Sequence, residues 1–186
     1  DRGFNLLLTD FPEPAFYQVL ERSGLEDIDL DQFKTAPVKQ DDSEEAGLQR
    51  ANKCHDRIQR FERQLRQFID KEMTRQYGSN WPKRRLQRNK FDEWQFKKQR
   101  AERNGEIISF IDMADFTDYE LIICKADHWR EVFQTRFTTK ESVRESLQRL
   151  YPIRIATMHS CIVTKEDELY LVAEVTRLTR SFKITP

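Results

Sequence analysis

Glycine and proline are scarce in this chain, 5 and 6 of 186 residues, about half the usual share. A sandwich or barrel needs a turn roughly every ten residues, so the scarcity disfavours both and predicts a mainly helical fold. Cysteine is rarer still. Cys54, Cys124 and Cys161 are odd in number, far apart and form no Cys-x-x-Cys pair. That argues against a disulfide framework and a zinc knuckle, and makes a reducing, cytoplasmic setting the expectation. Long apolar runs are missing: Ile107-Ile108 and Leu121-Ile122-Ile123 fall far short of the roughly 20 residues that span a bilayer, so no membrane contact is expected. No Gly-rich phosphate loop, His-Glu-x-x-His or Gly-x-Ser-x-Gly occurs, which removes three common motif-borne chemistries. The chain starts at Asp1 without an apolar leader, so a piece of a longer protein is expected.

Charge, by contrast, is abundant. Asp, Glu, Lys and Arg make up 34% of the chain, 32 residues of each sign. The mean hydropathy is −0.81, low for one compact domain of this length, although 13 Phe and 3 Trp supply bulky core residues. One domain plus a solvated segment fits these figures. The zero net charge is a sum of opposed segments: 5 basic and 12 acidic residues in 1–50, 16 and 7 in 51–103, 11 and 13 in 104–186. Either the basic middle pairs with the acidic start, or it meets an anionic partner such as nucleic acid.

Residues 1–44 contain Pro12, Pro14 and Pro37 and end in an acidic stretch. They read as an arm and linker with one short helix over 14–22, and residues 45–186 as the folded domain. Ala51, Cys54, Ile58, Phe61, Leu65 and Phe68 recur at steps of three and four, the stripe of a long amphipathic helix that lasts to about Tyr77 and ends at Gly78. The intervening Arg57, Arg60, Arg63, Arg66, Lys71, Glu62, Asp70 and Glu72 read as its solvated faces. Next comes a basic run framed by aromatics, Trp81-Pro82-Lys83-Arg84-Arg85-Leu86-Gln87-Arg88, with Phe91, Trp94 and Phe96 behind it. Such interleaving suits RNA, because cations meet phosphates while exposed rings stack on bases; the same rings also serve as core anchors.

Further on, residues 106–114 read as a short helix or buried segment. Thr117 reads as the cap of a helix through Glu120-Leu121-Ile122-Ile123, and Trp129, Val132 and Phe133 as a packed helix face. Thr138 with Glu141 has the form of a capping box before Val143, Leu147 and Leu150. Pro152 suits the first turn of a new helix. Thr164 with Asp167 marks the start of a last helix bearing Leu169, Val172, Val175 and Leu178. About five helices and no strand pair are expected.

The groups able to titrate near neutrality are His55, His128 and His159. Cys54 beside His55 reads as core packing, His128 as a helix-start residue, and Glu166, Asp167 and Glu168 as first-turn acids that favour the helix dipole. His159 follows Arg154 by five positions. An imidazole that takes a 2′-hydroxyl proton and a guanidinium that stabilises phosphate charge are the minimum for RNA cleavage without a metal. The spacing is cheap, since Arg50 also stands five before His55, and on a regular helix it separates side chains by about 140°.

The stretch from 128 to 178 carries His128-Trp129-Arg130-Glu131-Val132-Phe133, then Phe137-Thr138-Thr139-Lys140-Glu141. It continues with Leu147-Gln148-Arg149-Leu150-Tyr151-Pro152-Ile153-Arg154, His159-Ser160 and Thr164-Lys165-Glu166-Asp167-Glu168-Leu169. It resembles the HEPN superfamily, most closely the C-terminal HEPN domain of the synthetic-with-TREX endoribonucleases and their prokaryotic relatives. The helix from Ile58 to Gly78, Trp81, Trp94 and the segment 107–115 look like the earlier part of the same domain. The resemblance implies an all-α, compact bundle of four to five helices that dimerises through the motif helix, with the Pro-containing acidic arm outside it. It also implies RNA cleavage that needs no metal or cofactor and leaves a 2′,3′-cyclic phosphate. Arg154 and His159 match the family's Arg-x4-His and would line a cleft shared by two protomers, with Lys83, Arg84, Arg85 and Arg88 guiding RNA. Two positions depart from the pattern: Ile155 stands where active members often carry Asn, and Met158 where a small residue often precedes the His. The alternative is a non-catalytic HEPN module for RNA binding, dimerisation or an antitoxin or sensor role, attached to other domains of a larger defence or stress protein. A third reading is a charged helical adaptor whose basic segment binds acidic protein.

Overall fold

The computed structural model describes residues 44–159 and 161–182; the arm and its expected helix over 14–22 lie outside them. The described residues form seven α-helices, one 3-10 turn and one π turn, with no strand among them. The helices are α1 (Glu44–Tyr77), α2 (Trp81–Arg85), α3 (Arg88–Arg103), α4 (Phe116–Ile123), α5 (Ala126–His128), α6 (Lys140–Met158) and α7 (Lys165–Phe182). The 3-10 turn spans Phe110–Met113 and the π turn Trp129–Phe133. Helices α2 and α5 are single short turns, which leaves five longer helices, the number expected; α3 is not among those predicted from the apolar spacing, and α6 joins two that are.

Helix α1 is the axis of the bundle. Its 34 residues reach about 50 Å, and every member of the expected stripe from Ala51 to Phe68 is buried. Packing that stripe requires two neighbours: α6 and α7 lie on α1 and on each other, and α4 lies on α6. Phe68 anchors the layer, its ring centroid 4.6 Å from that of Phe182, 5.8 Å from Phe137 and 6.1 Å from Phe133. At Gly78 the backbone turns left-handed, φ 81°, where a side chain would be strained. Its N–H closes α1 on the Thr74 carbonyl at 2.8 Å, as the sequence predicts.

Four local expectations need correction. The N-cap of α4 is Asp115, not Thr117: Asp115 and Asp118 cap each other's backbone reciprocally, a box in which carboxylates satisfy the first amides better than a hydroxyl two residues inside can. The cap of α6 is Thr139 rather than Thr138, and its hydroxyl accepts from the Ser142 N–H at 3.1 Å. Pro152 starts no helix; it lies within α6, where the missing N–H costs one rung of the ladder and the ring is exposed. Glu62 and Glu72, read as solvated, are buried. The Thr164 and Asp167 box is present as expected, with Thr164 N donating to Asp167 Oδ2 and Asp167 N to Thr164 Oγ1, both at 3.1 Å.

Candidate active site

Arg154 lies in the last two turns of α6 with its side chain turned toward α1. Its Nε donates to Oε1 of Glu62 at 2.6 Å, and its guanidinium carbon lies 5.6 Å from the Phe116 ring centroid. Charge-assisted bonds of this length are strong when the carboxylate is dry, and the Glu62 side chain is only 7% exposed against 24% for Arg154. The other carboxylate oxygen, Oε2, accepts from Arg66 Nη2 at 3.1 Å and from the Tyr119 hydroxyl at 3.2 Å. Tyr119 in turn accepts from Arg66 Nε at 2.7 Å. Burial, with Glu62 alongside, pushes the Tyr119 phenol well above its ordinary value, so it remains a donor at neutral pH. Two guanidinium groups and a phenol thus share one buried carboxylate, drawn from α1, α4 and α6.

The consequence for Arg154 is orientation. Held through Nε and backed by an aromatic face, it makes no hydrogen bond through its two terminal nitrogens among the described residues. That is the pair of donors a phosphate takes in bidentate fashion.

His159 stands at the C-terminal end of the same helix, where its N–H still bonds the Ile155 carbonyl at 3.1 Å. Its side chain is exposed and makes no hydrogen bond or ion pair among the described residues. The turn that follows is pinned from α1: Arg50 Nε donates to the Val163 carbonyl at 3.0 Å, and Val163 is fully buried. Gly47 admits Ile162, because a Cβ there would fall 2.6 Å from Ile162 Cγ2. Arg154 faces inward and His159 outward, and no bond joins them within the chain.

Tyr151, Ile155 and Met158 follow steps of four and three along α6 and therefore share a face. Tyr151 and Met158 are exposed and Ile155 is half-buried, leaving an apolar stripe beside Arg154.

The basic run divides into two groups. Lys83, Arg84 and Arg88 are exposed; Lys83 and Arg84 have no ion pair among the described residues, and Arg88 meets Asp92 at 3.4 Å. Arg85 turns inward, 3.8 Å over the Tyr77 ring and 3.5 and 3.7 Å from Asp127 and Glu131. The framing tryptophans are not stacking platforms. Trp81 and Trp94 are fully buried, their indole N–H groups donating to Asp70 at 2.9 Å and Asp118 at 3.0 Å. Of the rings around the run, Phe96 is the one that stands in solvent.

Cys54 is buried and its thiol pushed up to about 11 by burial, as expected of a packing residue. His128, read as a helix-start residue, ends α5 and directly precedes the π turn; it is fully buried, with Nδ1 2.8 Å from the Ile122 carbonyl. Among the described residues no three His, Cys, Asp or Glu side chains gather as a metal site would require. No helix among them is long and apolar enough to cross a membrane.

Glu62 is the functional residue that the sequence reading passed over. Its signal was present, since it lies four after Ile58 and three before Leu65, on the apolar stripe itself; a carboxylate there must be buried and paired.

A family model for the Swt1-like HEPN domain matches residues 57–183, and the chain belongs to that family. Searches of the curated proteins and of the solved structures returned no match.

Proposed function

We propose that this Swt1-like HEPN domain is a metal-independent endoribonuclease that acts as a homodimer in the cytoplasm, with residues 1–44 as an N-terminal arm and 45–186 as the catalytic domain. The supporting observation is the state of Arg154, anchored through Nε on buried Glu62 at 2.6 Å with both terminal nitrogens left to receive a phosphate. Family membership supports an RNA-related role.

In this reading His159 takes the proton of a ribose 2′-hydroxyl, and the 2′-oxygen attacks the adjacent phosphorus. The bond from phosphorus to the 5′-oxygen breaks, the leaving oxygen receives a proton from imidazolium, and a 2′,3′-cyclic phosphate remains. Arg154 holds the charge that builds on the non-bridging oxygens. Because Arg154 and His159 point apart within one chain, the pair that meets the phosphate comes from two protomers. The apolar stripe of Tyr151, Ile155 and Met158 next to both residues is suited to an isologous contact. Lys83, Arg84 and Arg88 attract the strand, while Arg85 holds α2 against the π turn.

Purified protein and its His159→Ala variant are incubated with mixed-sequence RNA in EDTA and the product ends analysed. The wild type is expected to cleave and to leave cyclic phosphates, the variant to leave RNA intact with its mass by light scattering unchanged. Cleavage retained by His159→Ala would remove the catalytic assignment. An intact dimer of wild type that cuts nothing would leave a binding and assembly module, the role to which Ile155 in place of a polar residue is suited.

A further inference from the structure

Helix α1 turns its apolar stripe inward and most of its acids with it, and leaves its cations outside. From Lys53 to Lys71, about 27 Å of helix, nine of its residues are exposed: five cations (Lys53, Arg57, Arg60, Arg63 and Lys71), three glutamines and one acid, Asp56. At about 100° per residue, Lys53, Arg57, Arg60, Gln64, Gln67 and Lys71 fall within about 40° of one line along the helix, and Arg63 and Asp56 stand on its shoulder.

None of the five cations makes an ion pair or a side-chain hydrogen bond among the described residues. Asp56 stands four before Arg60 without pairing to it. The other two acids of the stretch are turned away and already engaged, Glu62 by Arg154 and Arg66 and Asp70 by the Trp81 indole. Asp167 and Glu168 act on the Cys54 thiol from α7, as Arg57 does from α1; Asp167 is held in the Thr164 cap, and neither pairs with Arg57. Farther along, Thr179 and Phe182 of α7 join Gln64, Gln67 and Lys71 around a shallow hollow with no carboxylate in its wall.

This arrangement costs the helix. Lys53 and Arg57, Arg57 and Arg60, and Arg60 and Arg63 are like-charge neighbours at steps of four and three, a repulsive spacing on a helix surface. Acids are as numerous as bases in the chain, yet the ridge keeps like charges together, and a polyanion laid along it removes the repulsion.

The side chains that are missing narrow the polyanion. None of the nine is apolar, so a protein partner finds no core to bury and a bilayer no face to insert. The nine include no ring on which a base could stack. What remains is neutralisation of phosphates with release of their counterions, and glutamine amides that donate to phosphate and ribose oxygens. Gln64 and Gln67 make no side-chain hydrogen bond among the described residues.

We propose that this ridge of α1 binds the phosphate backbone of RNA without regard to sequence. The inference rests on the reading of the domain as RNA-acting. The ridge is distinct from the Arg154 site, since Glu62, which receives Arg154, lies about 160° round the helix from Arg60. One RNA therefore reaches both only if it is long enough to pass round α1.

The test measures binding of an uncleavable 2′-O-methyl RNA of about 30 nucleotides, in mixed and all-uridine sequence, by anisotropy between about 50 and 200 mM salt. Poly-glutamate serves as an acidic-polypeptide probe. Wild type is compared with the triple variant Arg57→Gln, Arg60→Gln and Arg63→Gln, which keeps good helix formers in α1. Arg100→Gln, Arg103→Gln and Arg130→Gln together make a control with the same charge change at exposed positions off the ridge. The ridge variant is expected to bind both RNAs about tenfold more weakly, and its slope of log affinity against log salt to be flatter by about 2, three single-strand contacts at about 0.7 each. The control is expected to stay within about twofold of wild type, with circular dichroism the same for all three. Wild-type RNA binding that the ridge variant retains, or that the control loses equally, would overturn the ridge and leave the RNA reading standing. A preference for one sequence that the ridge variant abolishes would overturn the backbone assignment. Wild type that binds no RNA would overturn both, and ridge-dependent binding of poly-glutamate in its place would assign the face to an acidic protein. None of these outcomes depends on cleavage, so an inactive His159 leaves the test intact.

Discussion

Glu62 shows how much one buried carboxylate decides. It carries bonds from Arg154, Arg66 and Tyr119, and two of the three donors reach solvent at their far ends, so the pairing is only partly desolvated. Glu62→Gln keeps the volume and removes the charge; a loss of about 2 kcal/mol in unfolding free energy is expected, the scale of a hydrogen bond to a charged group, read as a lower urea midpoint. The larger effect falls on function. With Arg154 Nε left on a neutral acceptor at best, and an amide NH2 set against the donors Arg66 and Tyr119, RNA cleavage is expected to drop by about 100-fold, the usual consequence of a misplaced catalytic group, at a temperature where circular dichroism shows the helices intact. An unchanged rate would mean that Arg154 needs no such anchor. The charge and position of Glu62 were legible on the apolar stripe, but its partners were not, because 92 positions separate it from Arg154.

At the level of elements, α6 and its C-cap carry the whole proposed motif, and Pro152 sits two residues before Arg154 within the helix. The ring withdraws the N–H that would bond the Gln148 carbonyl, and an interior proline costs a helix up to about 3 kcal/mol. Pro152→Ala is accordingly expected to raise the thermal midpoint; a lower midpoint would show that Pro152 helps to seat α6 on α1. Proline read by sequence alone marks a helix start more often than an interior, which is why two helices were expected here. The difference arises from Ile153 and Leu150 on either side, both buried: packing of a continuous face outweighs one lost rung. The shifted caps at Asp115 and Thr139 have the same origin, since several adjacent polar residues can cap and tertiary contact selects among them.

For the whole molecule, the question is what covers the apolar stripe beside the motif. In a homodimer built on it, Tyr151 and Met158 would be buried, and replacing both with Asp places four like charges across a two-fold axis. Tyr151→Asp with Met158→Asp is expected to reduce the mass seen by light scattering to that of one 22.4 kDa chain and to abolish cleavage, with helicity unchanged. Cleavage by a monomeric variant would show that one chain completes the site alone. Net charge says nothing on this point, because the acidic and basic segments cancel and only their placement matters for association.

The sequence by itself determined the helical class, the buried face of α1, its stop at Gly78 and the Thr164 and Asp167 cap. Each is a property of residues within a turn or two of one another, where periodicity and backbone chemistry act directly. Only the tertiary structure decided that Trp81 and Trp94 are core rather than platform, that Arg85 turns inward while Lys83 and Arg84 do not, and that Glu62 receives Arg154. Those outcomes depend on which helix faces which, and burial is settled by the neighbour across the interface rather than by the neighbour in the chain.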